Sequence, residues 1–187
     1  MSNLQGSTPI TSVIIPAFNE ETSIGLVLDN LPQETLKEII VVNNGSTDKT
    51  ACVARKHGAR VVDEPLRGYG AACLKGISEL DEPEIVVFID GDFSDFPEEI
   101  ENLVKPIVEN RADFVLGSRM IFPESRAALL PQARYGNILA VFLVKLFFRY
   151  QFTDLGPFRA IRYQSLKEIS MTDKNFGWTV EMQIKAV

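Results

Sequence analysis

The sequence contains few of the residues from which thiolate, disulfide or multi-histidine sites are built. Its 187 residues include two cysteines and one histidine. Cys52 and Cys73 stand among apolar neighbours in helix-like segments, with the spacing of neither a metal site nor a redox pair. We therefore interpret both as reduced packing residues. His57 is predicted to lie in a helix on the far side of the molecule from the polar strand ends.

The sequence also lacks an excess of basic charge and any long apolar run. Nineteen Lys and Arg residues stand against twenty-five Asp and Glu residues, for a formal charge of -6. This balance argues against a nucleic-acid scaffold, whose affinity comes from a basic face that neutralises phosphates. The longest apolar stretch, Ile138–Phe148, contains Lys145 and is shorter than the roughly 20 residues that cross a bilayer. Residues Met1–Pro9 are polar and resemble no signal peptide, so we expect a cytoplasmic protein.

Short β-branched runs alternate with segments of helical period as far as Leu116. This alternation is typical of an α/β fold in which a mostly parallel central sheet is flanked by helices. The predicted strands are Ser12–Ile15, Glu38–Val42, Ala59–Val62, Glu84–Ile89 and Asp113–Leu116.

Two of the predicted helices carry apolar residues at helical spacing, and punctuation residues mark helix ends. Pro97 is expected at a helix start, and Gly58 is expected to close a helix as a C-cap. The apolar stripes are Ile24, Val27, Leu28 and Leu31 in the first helix, and Ile100, Leu103, Val104 and Ile107 in the other.

The regular alternation stops after Leu116. Residues 117–132 are predicted to form a long loop and residues 134–149 a largely apolar helix. No repeat or linker divides the chain, so we predict a single domain over residues 1–187. The segment Trp178–Val187 has helical character and stops without a cap, which favours a chain that is truncated at its C-terminus.

The most informative polar feature is Asp90-Gly91-Asp92, directly after the strand Glu84–Ile89. Ligands of open α/β sheets bind beyond the carboxyl ends of strands, which is where these carboxylates fall. Two carboxylates one residue apart can share a hard divalent cation and leave room for phosphate oxygens. An ordinary Asp-Gly turn is the alternative interpretation.

Two other predicted strands also end in polar segments. The first strand continues into Pro16-Ala17-Phe18-Asn19-Glu20, and the second continues into Asn43-Asn44-Gly45-Ser46-Thr47-Asp48. The second segment leads into a helix N-terminus, where unpaired N–H groups suit anions or base edges. Each segment alone is weak evidence, since Asn-Gly turns and Ser or Thr caps are common.

Taken together, these three segments resemble family 2 glycosyltransferases of the A-type fold, which has a Rossmann-like nucleotide-binding half. That family shows Pro-x-Tyr/Phe-Asn-Glu, then an acidic Asp-Gly-Ser-x-Asp turn, then Asp-x-Asp, each after a strand. Arg67-Gly68-Tyr69-Gly70-Ala71-Ala72 is similar to the family's glycine-rich segment near the donor. Gly117-Ser118-Arg119 is similar to the polyprenyl- and dolichyl-phosphate sugar transferase branch.

The resemblance implies a nucleotide-sugar donor and a Mg²⁺ or Mn²⁺ ion. Asp92 would be the principal metal ligand, with Asp90 near both the ribose and the metal. A third ligand in the dolichyl-phosphate mannose synthase group falls at Ser94 here, a feeble ligand that leaves the third position open. The residues implied for the nucleotide pocket are Pro16, Phe18, Glu20, Asn44, Gly70 and Asp90.

The sequence departs from the family at Asn43-Asn44, where at least one Asp is usual. An Asn carbonyl can still accept a hydrogen bond from the base, but without charge. We therefore expect UDP-sugars to bind better than GDP-sugars by a modest margin. On the sequence alone, Asn44→Asp is expected to retain or improve UDP binding.

Arginines in and after the long loop suggest the acceptor. The planar guanidinium donates hydrogen bonds in pairs and suits phosphate. In the polyprenyl-phosphate branch, arginines of this region hold the lipid phosphate, and the apolar stretch that follows would lie at a membrane surface. The alternative is a solvated arginine loop before a core helix. The implied acceptor-binding residues are Arg119, Arg126, Arg134 and Asn137, with Arg134 also implied in catalysis.

The need for a general base depends on the acceptor. A phosphate monoester is already anionic and needs positioning, whereas a hydroxyl needs a carboxylate to take its proton. Asp154 and Glu181 are the candidates, because both stand in motifs that resemble family landmarks. Structural roles are the alternative for both. Retaining relatives use a histidine metal ligand late in the chain, and none occurs here after His57, which favours the inverting branch.

The leading hypothesis is an inverting transfer of a hexose, with glucose as first candidate, from a UDP-sugar to a polyprenyl phosphate. Such an enzyme would lie peripherally at the inner membrane face. One alternative keeps the donor and uses a soluble hydroxyl acceptor of the sugar or glycerate type. Another is a protein that binds nucleotide sugars without turnover.

Overall fold

A computed structural model describes residues 9–118 and 156–187, and the structural statements below concern these residues. They contain one six-stranded sheet with the strand order β3-β2-β1-β4-β6-β5. The strands are β1 Thr11–Ala17, β2 Glu38–Asn43, β3 Arg60–Asp63, β4 Ile85–Phe88, β5 Phe114–Leu116 and β6 Arg159–Arg162.

Helices cover both faces of this sheet. Two short 3-10 turns, Gln33–Thr35 and Pro97–Glu99, join the regular elements, and the second leads directly into a helix. The helices are α1 Ile24–Asn30, α2 Thr50–Lys56, α3 Tyr69–Ser78, α4 Ile100–Val108, α5 Tyr163–Ile169 and α6 Trp178–Lys185.

Parallel pairing brings the ends of the central strands together. β1 pairs in parallel with both β2 and β4, so that Ala17 lies beside Asn43 and Ile14 beside Phe88. Parallel strands end at the same edge of a sheet, which is where ligands of open α/β sheets bind. The polar segments after β1, β2 and β4 therefore converge, as the sequence predicts.

Two apolar cores lie on the two faces of the sheet. The helices α1 and α4 pack on one face with alternate residues of β1, including Val13 and Ile15. The helices α3 and α6 pack on the other face, where Trp178 is fully buried and contacts the ring of Phe88 edge-on. Alternation of core residues along β1 follows from the period of two in a strand. Both faces are covered, so β4 is apolar throughout.

The structure confirms the predicted α/β fold and corrects two other expectations from the sequence. The five predicted strands are present within one or two residues, both apolar stripes are buried, and Gly58 takes a left-handed φ of 87° after α2. The strand β6, which the sequence analysis missed, pairs antiparallel with both β4 and β5. Cys52 is exposed, so its interpretation as a packing residue is wrong, whereas Cys73 is buried.

The apolar segment 134–149 and most of the predicted loop 117–132 lie outside the described residues. Within residues 9–118 and 156–187, no helix has the length and apolar character needed to span a membrane.

Candidate active site

A cleft of about 400 Å³ lies at the edge of the sheet where β1, β2 and β4 end. It is built from the polar segments after these strands, the glycine-rich start of α3, and a segment that precedes α6. Its lining residues are Pro16, Ala17, Phe18, Glu20, Asn44, Arg67, Gly68, Tyr69, Ala72, Asp90, Gly91, Asp92, Asn175 and Phe176.

The loops after β1 and β2 are joined by reciprocal hydrogen bonds. The amide of Asn19 donates to Ser46 Oγ (3.1 Å), and Asn19 Oδ1 accepts from the amide of Thr47 (2.9 Å). The amide of Glu20 donates to Thr50 Oγ1 (2.7 Å). Several polar residues of these motifs therefore fix the two loops to each other. Phe18 and Glu20 of the first loop and Asn44 of the second line the cleft.

Asn44 holds a third loop in place. Its Nδ2 donates to the carbonyl oxygens of Glu64 (2.9 Å) and Leu66 (2.7 Å), and its Oδ1 accepts from the amide of Gly68 (2.9 Å). The residue is only 6% exposed, so these bonds form where water cannot replace them easily. Asn44 thus lines the cleft and also orders the loop that carries Arg67.

This geometry reverses the expectation for Asn44→Asp. A carboxylate has no N–H to donate, and it would face the carbonyl oxygens of Glu64 and Leu66. We expect the variant to lose about 1–3 kcal/mol of stability from the unpaired groups. UDP binding should weaken, because the loop that carries Arg67 loses its anchor. Denaturant unfolding and calorimetry with UDP would measure both effects, and unchanged values would contradict this role of Asn44.

Phe18 and Arg67 form a stacked pair at the cleft. The guanidinium carbon of Arg67 lies 3.3 Å from the centre of the Phe18 ring, within cation–π range. Phe18 is still 39% exposed. Arg67 is the one basic side chain among the described residues that line the cleft, so the pair offers an aromatic face and a positive charge side by side.

The start of α3 is in close contact with the residues before α6. We call Arg67–Gly70 the glycine turn and Thr172–Gly177 the wall segment. The amide of Gly70 donates to the carbonyl of Asn175 (3.1 Å), and the amide of Ala71 donates to that of Lys174 (2.9 Å). Carbonyls of the wall segment thus satisfy donors that a helix N-terminus leaves unpaired. These two amides are consequently not available to a ligand.

The two carboxylates after β4 lie in different surroundings. Asp90 is half-buried, and its Oδ1 accepts a hydrogen bond from the Tyr69 hydroxyl (2.9 Å). Burial and the nearby Asp90 charge raise the pKa of the Tyr69 phenol well above its ordinary value, so the hydroxyl stays a donor. Asp92 is exposed, and its Oδ1 accepts from the amide of Ser94 (2.9 Å), which orients the carboxylate.

The chemistry of these donors fits a hard divalent cation. Mg²⁺ is commonly bound by one or two carboxylates together with substrate phosphates and water. Its site therefore does not need a full set of protein ligands. Asp90 and Asp92 both line the cleft, whereas Ser94 is not among its lining residues. Within the part of the chain that the structure describes, no cluster of three or more His, Cys, Asp or Glu side chains forms a metal site. Asp90 and Asp92 are the two carboxylates that the segment after β4 contributes to the lining of the cleft.

The carboxylate of Glu181 is bonded to neighbouring residues of the fold. Its carboxylate accepts hydrogen bonds from the amides of Thr172 and Asp173 (3.0 and 2.8 Å) and from the Thr172 hydroxyl (2.7 Å). It also pairs with Lys185 at 2.8 Å. Partial burial opposes ionisation, but the hydrogen bonds from Lys185, Asp173 and Thr172 outweigh it and lower the pKa of Glu181 to about 2. Glu181 is not among the residues that line the cleft.

The lowered pKa gives a stability prediction. A carboxyl group whose pKa falls on folding stabilises the protein at pH values above its pKa in the unfolded state, which is near 4.5. This contribution is lost as the pH falls towards about 2. The difference in unfolding free energy between wild type and Glu181→Gln should be constant above about pH 5 and shrink below it. Chemical unfolding at several pH values would measure this difference. A difference that stays constant down to pH 2.5 would contradict the shift.

The structure brings together most of the nucleotide and metal residues expected from the sequence. Gly70 lies beside the cleft, beneath the wall segment. Asn175, Phe176 and Arg67 were not predicted from the sequence as individual site residues, and only the glycine-rich context of Arg67 indicated its place. The expected residues Arg119, Arg126, Arg134, Asn137 and Asp154 lie outside the described residues.

Comparison with known proteins identifies the family. The model of Glycosyl transferase family 2 matches residues 12–170, which is most of the chain. The chain belongs to this family. An uncharacterised protein of Methanocaldococcus jannaschii is 38% identical over 161 residues, which are 84% of this chain and 66% of that protein.

Two further relatives have informative names. The UDP-N-acetylglucosamine–dolichyl-phosphate N-acetylglucosaminyltransferase of Methanococcus voltae is 28% identical, over 84% of this chain and 71% of its own. Glucosyl-3-phosphoglycerate synthase from Mycobacterium tuberculosis, solved with Mn²⁺, UDP-glucose and phosphoglyceric acid, superposes with a TM-score of 0.74 and 25% identity. That match covers 92% of this chain and 62% of the solved chain, so this chain spans less than two thirds of it. The fold is the A-type glycosyltransferase fold.

Proposed function

We propose that this chain is the catalytic domain of a metal-dependent glycosyltransferase that takes a hexose from a UDP-sugar. The observation that carries the proposal is the convergence of Asp90 and Asp92 with the Phe18–Arg67 pair in one cleft. Phe18 offers a flat face for a base, and Arg67 offers charge for phosphate. Gly70 would act as support beside this pocket.

The carboxylates would hold Mg²⁺ or Mn²⁺ against the diphosphate of the donor. The ion would stabilise the negative charge that develops on the leaving nucleotide. Asp90 is held by Tyr69 and Asp92 by the Ser94 amide, so the two side chains are oriented before the donor binds. Such preorganisation reduces the rearrangement needed during transfer.

We propose a polyprenyl phosphate as the first candidate acceptor. The dolichyl-phosphate relative supports this choice, as do exposed aromatic rings near the cleft. Phe176 lines the cleft and is 85% exposed, and Phe93 and Phe96 are exposed just after Asp92. Arg119, Arg126, Arg134 and Asn137 are proposed to bind the phosphate, with the enzyme peripheral at the inner membrane face.

On this proposal the transfer inverts the anomeric centre, and the acceptor phosphate attacks directly. An anionic phosphate needs orientation more than a strong base. Asp154 stays a proposed general base for the case of a hydroxyl acceptor.

A soluble hydroxyl acceptor of the sugar or glycerate type is the second candidate. The solved neighbour binds phosphoglyceric acid, and its acceptor also carries a phosphate. Arginines of the same region would serve either acceptor, because both present the same anion.

Incubation with radiolabelled UDP-glucose or UDP-N-acetylglucosamine and Mn²⁺ would test the function. Polyprenyl phosphate in detergent and 3-phosphoglycerate in buffer would be offered in parallel. We expect label in the organic phase with the lipid acceptor, carried by a product of inverted configuration. Label in a soluble product alone would replace the first acceptor by the second. Nucleotide-sugar binding without any product from either acceptor would contradict the proposed enzyme.

A further inference from the structure

The bonds of Glu181 join two elements that line or support the cleft. Its carboxylate is bound to the start of the wall segment through the amides of Thr172 and Asp173. The Asp173 carboxylate in turn accepts the amide of Asn175 (2.7 Å). A continuous chain of hydrogen bonds thus runs from α6 to Asn175, one of the residues that line the cleft.

The other side of the wall segment contacts the glycine turn. Carbonyl oxygens of Lys174 and Asn175 accept the amides of Ala71 and Gly70. The two elements approach so closely that a methyl group on Gly68 would overlap the Lys174 carbonyl oxygen. The wall segment has no regular structure of its own, so its position depends on these contacts and on Glu181.

We propose that Glu181 is a positioning residue of the donor site, which holds the wall segment against the glycine turn and so places Asn175 and Phe176 in the cleft. Its effect on donor binding rests on the proposed function, whereas its effect on the order of the glycine turn does not. Glu181 is suited to this role because its carboxylate is already occupied by donors from two neighbouring residues and Lys185. A general base would instead need to contact the acceptor.

Hydrogen exchange, measured on wild type and on Glu181→Gln, tests whether Glu181 holds the wall segment against the glycine turn. Gln keeps one acceptor oxygen but brings an NH₂ group towards the amides of Thr172 and Asp173. We expect exchange of the Gly70 and Ala71 amides to become about tenfold faster, because local opening exposes their hydrogen bonds. Glu79→Gln is the matched control, since Glu79 also pairs with a lysine four residues away and lies at the opposite end of α3.

Calorimetry with UDP and Mn²⁺ on the same proteins tests whether Glu181 affects donor binding. We expect Glu181→Gln to bind UDP about tenfold more weakly, and Glu79→Gln to bind like wild type. Thr172→Val removes only the hydroxyl bond to Glu181 and should fall between wild type and Glu181→Gln. This milder variant keeps the test open if Glu181→Gln folds poorly.

The outcomes separate the alternatives. Unchanged exchange at Gly70 and Ala71 in Glu181→Gln would overturn the proposal whether or not UDP binds. Normal UDP affinity, with turnover reduced by about 10²–10⁴-fold, would overturn it in favour of a general base. If wild type fails to bind UDP, the proposed function fails, and the exchange data still decide the role of Glu181. Faster exchange at Gly70 and Ala71 together with weaker UDP binding in Glu181→Gln supports the proposed positioning role.

Discussion

Replacement of Asp92 by alanine is expected to remove metal-assisted donor binding and nearly all transfer activity. Asp92 is exposed in the cleft and is oriented by the Ser94 amide, so its loss should not disturb the core. The diphosphate leaving group would lose its Lewis acid, a loss of several kcal/mol, which corresponds to about a thousandfold in rate. Asp92→Asn should be nearly as damaging, because an amide oxygen carries no net charge.

The measurement is kcat/KM for the labelled donor over a range of Mn²⁺ and Mg²⁺ concentrations, with UDP affinity measured in EDTA and in Mn²⁺. Asp81→Asn is the control, since this aspartate is 83% exposed and pairs with Lys37 away from the cleft. Melting temperatures should agree for all of these proteins. Full activity of either Asp92 variant in Mn²⁺ would show that the metal site lies elsewhere.

The location of the cleft could be predicted from the sequence because it depends on local pattern. Three strands that end in polar residues, at Asn19, Asn44 and Asp90, are visible as short apolar runs that stop at turn residues. Parallel pairing then brings those ends to one edge, a rule that holds for any open α/β sheet. Asp92 follows the last of these strands and falls at the same edge.

The functions of individual polar residues could not be predicted because they depend on distant contacts. Asn44 was expected to face the base alone, yet its side chain bonds to backbone groups 20 to 24 residues away. Glu181 was interpreted as a candidate base from the motif in which it stands. No local pattern reveals that the amides of Thr172 and Asp173 bind its carboxylate. Residue type and spacing identify the elements that form a site, but only packing shows which atoms are already bonded.

The missed strand β6 has a similar explanation. Arg159 and Arg162 flank two apolar residues, so the segment has neither the length nor the alternation of a predicted strand. Arg159 is nevertheless fully buried, and its guanidinium donates to the carbonyl oxygens of Thr179 and Gly156. These bonds compensate for the burial of a charge, which a pattern of hydrophobicity treats as unfavourable.

The contact between the glycine turn and the wall segment leads to a second strong effect. Gly70→Ala is expected to displace the wall segment, because a methyl group there would overlap the backbone carbonyl oxygen of Asp173. Backbone cannot move aside as the tip of a flexible side chain can. Overpacking of this kind costs about 1–3 kcal/mol, and a chain of this size should then melt about 2–12 °C lower.

UDP binding should fall together with stability in Gly70→Ala, because Asn175 and Phe176 leave their places in the cleft. Gly25→Ala is the matched control. The atoms nearest its methyl group would belong to the imidazole side chain of His57, at 3.1 Å, which can shift more easily than backbone. The higher helix propensity of alanine, worth up to about 1 kcal/mol, would offset the cost of that shift. Gly70→Ala and Gly25→Ala should therefore differ in melting temperature and in UDP affinity, measured by thermal unfolding and by calorimetry with UDP and Mn²⁺. If Gly70→Ala melts and binds UDP like wild type, the wall segment does not hold the donor site in the way that its contacts indicate.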